Sequence, residues 1–467
     1  MPTPPAGPAD RRGRAAPLVP PRSRWQLDVT TYLTIWVVFL FGLSARQVVP
    51  GFGAIGSPAL LLLLPVAVWW FAGRAVPSLG GDRSPSITRV VLLLYAWYML
   101  ATFAISRTRP LTELEMTGST RAALTTIALT ALSLIVLDGI DDIGRLTTLL
   151  RRALWGAGFM ALIGALQFFT GEAWQLRLPG LTWNAEDLGT GVETRSIFNR
   201  PRGTTLHPIE FSVVTAALLP LAVHFAMYSA KGTRRQAATI VAILIGLGVP
   251  LAISRSGVLA IFVAIAIMFT GWTWRQRANG ALVLLASVPL LWLLVPGLVG
   301  TLRSLFTWFD ADPSIQARRD RVPRILQQWQ ENPWFGLGKG TWSIEDYFLI
   351  DNEFYVTTLE TGVVGLMLTT ILLTVGVVSG LAVAKAPYAS PEHASLGRAM
   401  TAGMAAIIIS TLTFDAFHYR ILTGMLFLFI GANGALLRLT RHPPEPDHHS
   451  GGPRIRSIET TPTRSRG

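Results

Sequence analysis

The sequence contains no cysteine, very few lysines and little charge for its length. Without cysteine the chain can form no disulfide, no thiolate nucleophile and no cysteine-based zinc site. Charged residues make up 14% of the chain, whereas soluble domains carry about 25%. Hydrophobic residues make up 51%. This composition excludes a cytosolic enzyme, a secreted disulfide scaffold and a disordered protein, but it is compatible with an enzyme whose site lies in a membrane.

No Walker phosphate-binding loop, with its Gly-Lys-Ser/Thr ending, is present, which argues against an ATP-driven pump. Positive charge is nevertheless abundant: 40 basic residues stand against 27 acidic ones, and all but Lys231, Lys339 and Lys385 are arginines. Such a charge is often a sign of nucleic-acid binding. Here many arginines lie in tails and short loops between apolar segments, where positive charge sets membrane orientation. We therefore predict contacts with membrane lipids and no nucleic-acid partner.

Long apolar runs divide the chain between residues 29 and 440. Each contains about 20 mostly apolar residues, enough to cross a hydrocarbon core of about 30 Å. We therefore predict an all-α polytopic membrane protein with about 12 transmembrane helices. The predicted spans lie near residues 30–48, 56–73, 88–106, 120–138, 149–169, 208–229, 236–253, 256–273, 280–300, 352–384, 399–416 and 421–439.

Polar segments flank this predicted transmembrane domain of residues 29–440. Residues 1–28 and 441–467 lack apolar periodicity, and their composition predicts disordered tails. With the first tail in the cytoplasm, every cytoplasmic segment is basic, as the positive-inside rule requires. An even number of spans returns the second tail to the same side. We predict a multi-pass protein of the cytoplasmic membrane with both termini inside and a long extracytoplasmic loop at 301–351.

The predicted outer face carries arginines that the orientation rule does not explain. Arg200 and Arg202 precede one span, and Arg255 lies at a span boundary in a short turn. In the long loop, a predicted amphipathic helix carries Arg318 and Arg319. Guanidinium groups bind phosphate oxygens bidentately, so an anionic ligand is one explanation. Pairing with nearby acidic residues or with lipid phosphates is the other.

Acidic residues gather where the long loop meets the next span. Asp351 and Glu353 are candidate general bases, because a carboxylate can take a proton from a hydroxyl group in the transition state. Asn352 lies between them, and His207 precedes another span, where it could bind a ligand or transfer protons. Structural roles remain open: Asp351 could cap a helix, and His207 could be a hydrogen-bonded anchor. No convincing cluster of oxygen ligands is present, so we predict no metal.

Several motifs together resemble the O-antigen ligase and O-antigen polymerase superfamily of polytopic membrane glycosyltransferases. Their order and spacing match over roughly residues 30–440. Each motif alone is weak, whereas the ordered set is specific for the superfamily but not for one substrate. The motifs are Arg200-Pro-Arg-Gly-Thr-Thr-Leu-His-Pro208, Ser254-Arg-Ser-Gly-Val-Leu-Ala260, an arginine-led loop helix that ends in Asn332-Pro-Trp-Phe-Gly-Leu-Gly-Lys-Gly340, and Asp351-Asn-Glu-Phe-Tyr355 with Glu360-Thr-Gly-Val-Val-Gly365.

The resemblance implies a helical fold of the GT-C type with its site at the outer membrane surface. It implies inverting transfer of a glycan from a polyprenyl diphosphate carrier onto an acceptor hydroxyl, without a metal or other cofactor. It also implies residue roles: Arg202 and Arg255 would grip the diphosphate, Arg318 or Arg319 would add charge, Asp351 would activate the acceptor, and Asn352 would position it.

One residue departs from part of this superfamily. Ligases that act on lipopolysaccharide generally have histidine where this chain has Asp351, which favours a polymerase or a different ligase. Peptidoglycan polymerases, which also use an outer-loop aspartate, are a near alternative. A transporter or flippase for the same lipid is another, although it should place polar groups near the bilayer midplane between two similar halves. An interaction protein without chemistry is the third.

Overall fold

A computed structural model describes residues 28–50, 52, 56–76, 84–174, 191–195, 197–307 and 313–441. The predicted tails lie outside these residues, apart from Asp28 and Arg441, and so do residues 308–312 of the predicted outer loop. The described part of the chain consists of α-helices with one short 3-10 helix and one β-hairpin. This architecture confirms the predicted all-α membrane fold.

The helices follow one another with short connections through most of the described chain. The hairpin pairs β1 (Glu193–Arg195) with β2 (Phe198–Arg200) in antiparallel register. The 3-10 helix covers Ala416–His418. The α-helices are α1 (Val29–Gly42), α2 (Pro58–Ala75), α3 (Ile87–Ser106), α4 (Glu113–Gly139), α5 (Ile143–Thr170), α6 (Pro208–Tyr228), α7 (Thr233–Leu251), α8 (Arg255–Thr270), α9 (Trp274–Leu294), α10 (Leu298–Thr307), α11 (Pro313–Glu331), α12 (Glu353–Lys385), α13 (Pro391–Ser410) and α14 (Arg420–Arg441).

Each of the predicted apolar segments coincides with one of these helices. Within the described residues, nine helices are long and apolar enough to cross a membrane by length and composition, namely α2 to α7, α9, α12 and α14. Helices α1 and α8 are apolar but shorter, and α13 lies at the remaining predicted segment. Helices α10 and α11 belong to the predicted outer loop. The number of crossings stays a prediction.

Two helices, α6 and α14, form the centre of the bundle. In the most apolar window of α14, 89% of the residues are buried, and in that of α6 the share is 78%. Helix α14 packs against α4, α12 and α13, while α6 packs against α7, α8 and α13. One large apolar core runs through these contacts and includes Trp36, Phe211 and Phe429. A second layer packs on these neighbours: α2 lies against α4, and α3 lies against α4 and α12.

Glu210, in the first turn of α6, joins the beginnings of the two central helices. Its carboxylate is fully buried and accepts hydrogen bonds from the backbone N–H groups of Leu206 at 2.9 Å and Ile421 at 3.0 Å. A buried carboxylate needs such donors, because water cannot solvate it there. These bonds bring together the segments that precede the two helices. The ring of His207, just before α6, lies 6.3 Å from that of Tyr419, just before α14.

Helix α9 lies apart from this core. In α9, which the structure describes in full, no side chain is buried. Just beyond its C-terminal end, Val295 and Leu298 pack with Phe168, and Leu291 and Phe198 lie against the same small apolar cluster. The helix is therefore anchored next to the β-hairpin, and lipid must cover most of its apolar surface.

A buried ion pair joins α3 to α4 at the other end of the bundle. The Arg89 Nε atom donates to Asp138 Oδ2 at 2.9 Å, and Trp70 Nε1 donates to the same oxygen at 2.9 Å. The side chains of Arg89 and Asp138 are only 7% and 3% exposed. Each charge therefore depends on the other for its solvation.

We expect Asp138→Ala to destabilise the protein strongly, because it leaves the Arg89 guanidinium buried without its carboxylate. Breaking such a pair costs about 3–5 kcal/mol. Thermal unfolding in detergent measures the effect. Asp141→Ala is the control, since the Asp141 side chain is 52% exposed and its contact with Arg145 is a surface pair, worth about 0–1 kcal/mol. Equal shifts in the two variants would contradict the assignment.

Candidate active site

A cavity of about 920 Å³ opens at the end of the bundle where α6, α12 and α14 begin. Ligand sites commonly measure about 300–1,000 Å³. Four of the residues predicted from the sequence line it, namely His207, Arg318, Asp351 and Glu353. The other predicted residues are described but are not in its wall: Arg200, Arg202, Arg255, Arg319 and Asn352.

A break in α12 shapes one side of this cavity. At Gly362 the backbone turns to φ 65° and ψ −174°, and a Cβ atom there would lie 2.1 Å from the carbonyl oxygen of Trp334. Only glycine fits such a position. The turn of residues 332–340 fills the break, and its Leu337 N–H donates to the carbonyl oxygen of Leu359 at 3.0 Å. The backbone groups that the break releases thus bind the turn.

Lys339, in this turn, lies between two acidic residues of α12. Its Nζ atom is 2.8 Å from Glu360 Oε2 and 3.8 Å from Glu353 Oε1. Burial disfavours the charged ammonium group, but the two carboxylates outweigh it and raise the pKa of Lys339 above its usual value. The cation therefore stays charged at any physiological pH and offsets the negative charge of the two carboxylates in part.

Glu353 is also held by neutral donors. Its carboxylate accepts hydrogen bonds from the Thr357 hydroxyl at 2.9 Å and from the Phe417 backbone N–H at 2.9 Å. The residue is only 4% exposed. With Lys339 beside it, this carboxylate is engaged on both oxygens. The geometry therefore gives Glu353 a structural role, and Asp351 is the better candidate base.

Asn352, rather than Asp351, caps α12. The Asn352 side-chain oxygen accepts from the backbone N–H groups of Phe354 at 2.9 Å and Tyr355 at 3.3 Å, and its amide donates to the carbonyl oxygen of Leu412 at 3.1 Å. These bonds satisfy the first turn of the helix. The capping alternative for Asp351 is thereby excluded, while Asn352 is engaged within the protein.

Asp351 faces two guanidinium groups of α11. Its Oδ2 atom lies 3.4 Å from Arg318 Nε and 3.6 Å from an Nη atom of Arg321, and its side chain is 25% exposed. Arg318 and Arg321 are three residues apart and therefore share a helix face, whereas Arg319 is exposed on another face. The sequence places Arg321 on the same predicted loop helix, and helix spacing brings it to the Arg318 face.

Arg255 begins α8 close to this pair. The neighbouring Ser256 hydroxyl accepts a hydrogen bond from the Thr413 hydroxyl at 2.7 Å, and Arg318 donates to the carbonyl oxygen of Thr413 at 3.2 Å. Thr413 therefore connects the start of α8 with the arginines of α11. Three chain segments, α8, α11 and the connection before α14, meet beside Asp351.

A second group of cations is built on the segment before α6. The Arg202 side chain sits in a turn held by Gln167, whose Oε1 atom accepts from the backbone N–H groups of Arg202 at 2.9 Å and Gly203 at 2.8 Å. Arg202 is 3% exposed and donates to the Gly191 carbonyl oxygen at 2.6 Å. Its Nε–H has no hydrogen-bond partner among the described residues. A buried donor without a partner is costly and suits an anionic ligand.

Arg200 and His207 share one acidic neighbour, Glu193 of the hairpin. The contacts measure 3.5 Å from an Arg200 Nη atom and 3.8 Å from His207 Nε2. Burial lowers the pKa of Arg200 and of Arg202 to about 10, so both stay charged at neutral pH. Burial and these two cations also lower the pKa of His207. Its neutral ring accepts from the Ile209 N–H at Nδ1, which leaves the proton on Nε2.

Tyr419 and Asp415 lie between the two groups of cations and line the cavity. Burial, reinforced by the charges of Glu353 and Asp351, raises the pKa of Asp415 to about 7. Tyr419 stacks edge-on against Phe414 and lies near the His207 ring. The site thus has a carboxylate centre flanked by arginines from the hairpin side and from α11.

We expect Lys339→Met to destabilise the protein, because it leaves two buried carboxylates without their cation. The loss should be about 3–5 kcal/mol, read as a lower unfolding temperature in detergent. Lys339→Arg keeps the charge and should retain much of the stability. Lys385→Met is the matched control, since Lys385 is exposed at the far end of α12, the helix that carries Glu353 and Glu360. An unchanged unfolding temperature for Lys339→Met would contradict the role given to this ammonium group.

Part of the chain that forms this site is similar to a known protein family. The family described as O-antigen ligase matches residues 240–370. This region contains Arg255, α11, the 332–340 turn and Asp351, whereas Arg202 and His207 lie before it. No curated protein matches the chain. The family has a general role in ligation or polymerisation of membrane-linked glycans, with lipid-linked glycan substrates. The match confirms the resemblance predicted from the motifs: residues 240–370 of this multi-pass membrane protein are similar to the O-antigen ligase family.

Proposed function

We propose that the protein transfers or polymerises a glycan from a polyprenyl diphosphate carrier onto an acceptor hydroxyl, with inversion and without a metal. The reaction would take place at the outer face of the cytoplasmic membrane, in the synthesis of a cell-surface polysaccharide. The observation that carries the proposal is the Asp351 carboxylate on the cavity wall, 3.4 Å from Arg318 and 3.6 Å from Arg321.

The arginines suit the leaving group. When a glycosyl bond to a diphosphate breaks, negative charge grows on the bridging oxygen. Guanidinium groups held in place in a poorly solvated site stabilise that charge more than mobile, water-exposed groups would. The unpartnered Nε–H of Arg202 supplies such a donor on the hairpin side, and Arg200 adds positive charge there. Arg318 and Arg321 supply cations at the carboxylate itself.

Asp351 suits the acceptor. The acceptor oxygen attacks the anomeric carbon, its proton passes to the Asp351 carboxylate, and the carbon–oxygen bond to the diphosphate breaks. The electron pair of that bond goes to the diphosphate, which leaves on its polyprenyl chain. Because the base and the leaving group lie on opposite faces of the sugar, the anomeric configuration inverts. Asp415 lines the same cavity, and burial together with the charges of Glu353 and Asp351 raises its pKa to about 7.

The donor itself would free the base. In the absence of substrate the Asp351 Oδ2 atom is paired with the guanidinium groups of Arg318 and Arg321. A diphosphate attracts the same guanidinium groups more strongly, because it carries more charge and more acceptor oxygens. Binding of the donor would therefore draw Arg318 and Arg321 away from Asp351 just when the acceptor must be deprotonated.

We expect Asp351→Asn to lose about 10²–10⁴-fold in transfer rate, the usual contribution of a general base. The assay supplies polyprenyl-diphosphate oligosaccharide and acceptor to the purified protein and measures the new glycosidic bond. Asp346→Asn is the control, because Asp346 is an exposed carboxylate of the same loop that does not line the cavity. Full turnover by Asp351→Asn would reject the proposed base.

The same assay separates the alternatives. A carrier lipid that crosses the bilayer of vesicles with no new glycosidic bond would favour a transporter. Turnover with a lipid-linked peptidoglycan precursor in place of the oligosaccharide would favour a peptidoglycan-type polymerase.

We expect Arg318→Ala to weaken use of the donor by about 10–100-fold in kcat/KM, because a hydrogen bond to a charged group contributes about 1.5–3 kcal/mol. Arg319→Ala should change it little. The two arginines are adjacent on α11, but only Arg318 lines the cavity. Titrating the donor against both variants checks the difference. Equal losses would assign the effect to the overall charge of α11 rather than to a position at the site.

A further inference from the structure

A second cavity, of about 470 Å³, lies between α5, α6 and α7 at the opposite end of the bundle. The two cavities lie at opposite ends of α6, which begins at the first cavity and ends at the second. Most of its wall is apolar, with Leu154, Trp155, Phe225 and Val241 among the lining residues. Trp155 is 52% exposed, so the cavity opens sideways toward the lipid.

The mouth of this cavity is cationic and hydroxylated. Arg151 and Arg234 line it together with Ser229 and Thr233, and none of the described lining residues is acidic. The Arg151 guanidinium lies 5.1 Å from the Phe225 ring, which holds it over the opening. The first turn of α7 has no acidic residue to balance Arg234. Two cations at the mouth of an apolar crevice are complementary to a molecule with an anionic head and an apolar tail.

We propose that this cavity binds an anionic glycerophospholipid, with its phosphate between Arg151 and Arg234 and an acyl chain against the apolar wall. Basic pockets between transmembrane helices are a recognised form of anionic lipid site. In the predicted topology this end of the bundle faces the cytoplasmic leaflet, where such lipids supply the headgroup. The site is separate from the proposed transfer reaction and does not depend on it.

The chemistry of the mouth selects the headgroup. The ammonium group of a zwitterionic lipid would need an acidic partner, and none lines the cavity among the described residues. A headgroup with hydroxyls and a net negative charge, such as phosphatidylglycerol, instead finds two guanidinium groups and the hydroxyls of Ser229 and Thr233. The lipid would also brace α5 against α7. The far end of α5 carries Gln167, which holds the Arg202 turn.

Native mass spectrometry of the purified protein tests the proposal, with detergent micelles that contain equal amounts of phosphatidylglycerol and phosphatidylethanolamine. We expect the wild-type protein to retain phosphatidylglycerol preferentially. Arg151→Ala and Arg234→Ala should each weaken retention by roughly five-fold, and the double variant by roughly 25-fold. Ala238→Phe, which fills the apolar wall, should abolish retention without changing any charge.

Matched controls separate a site from general charge. Arg152 and Arg235 each adjoin a lining arginine but do not line the cavity, so Arg152→Ala and Arg235→Ala should retain the lipid as the wild type does. Circular dichroism checks that all variants remain helical. Equal retention of the two lipids, or equal loss in the control variants, would overturn the proposal. Displacement of phosphatidylglycerol by polyprenyl phosphate at equal concentration would also overturn it and assign the cavity to the carrier lipid.

Discussion

The ammonium group of Lys339 is the interaction on which the site depends. It lies between Glu353 and Glu360, two carboxylates on the first turns of α12. Without a cation there, two negative charges would remain in a poorly solvated part of the bundle. Lys339 can reach them only because α12 breaks at Gly362 and admits the turn that carries it. Asp351 and Asn352 immediately precede this helix, whose start is held by the bond of Asn352 to the Leu412 carbonyl oxygen.

The positively charged side chains around the cavity are held by different contacts, which explains how they can lie close to one another. Arg202 is fixed by the fold of its own turn through Gln167, whereas Arg318 is fixed by Asp351 and by the Thr413 carbonyl group. The first is rigid and partly unpartnered. The second is paired with a group that a stronger anion can replace. A ligand with several negative oxygens would bind the fixed donors of Arg202 and draw Arg318 away from Asp351. Binding of the ligand would thereby also release the candidate base.

The membrane fold could be predicted well, because apolar runs of helix length leave few alternatives. The errors lie at helix ends. Helix α13 begins at Pro391, eight residues before the predicted start at 399, because Ser390 caps a polar first turn that hydropathy does not register. The candidate site was harder. Arg321 follows from helix spacing, but Lys339 does not, since its acidic partner Glu360 is 21 residues away and meets it only across a helix break.

Other parts of the site depend on contacts that no local pattern contains. Glu193 reaches Arg200 because a two-stranded hairpin sets the register between them, and Gln167 meets the Arg202 turn from a separate helix. Propensity alone could not choose between Asp351 and Asn352 as the cap, because both residue types are good N-caps. Sequence therefore indicated which residue types meet at this end of the bundle, while the pairing among them required the three-dimensional structure.

The lack of buried side chains in helix α9 affects how the protein responds to the membrane. Since none of its side chains is buried, protein contacts do little to fix its tilt, which must follow the thickness of the surrounding bilayer. Its anchoring cluster includes Phe198, two residues before Arg200 in the same strand. A thicker or thinner membrane would therefore shift the hairpin through α9. Lipid composition would in this way change the position of the arginines beside the cavity.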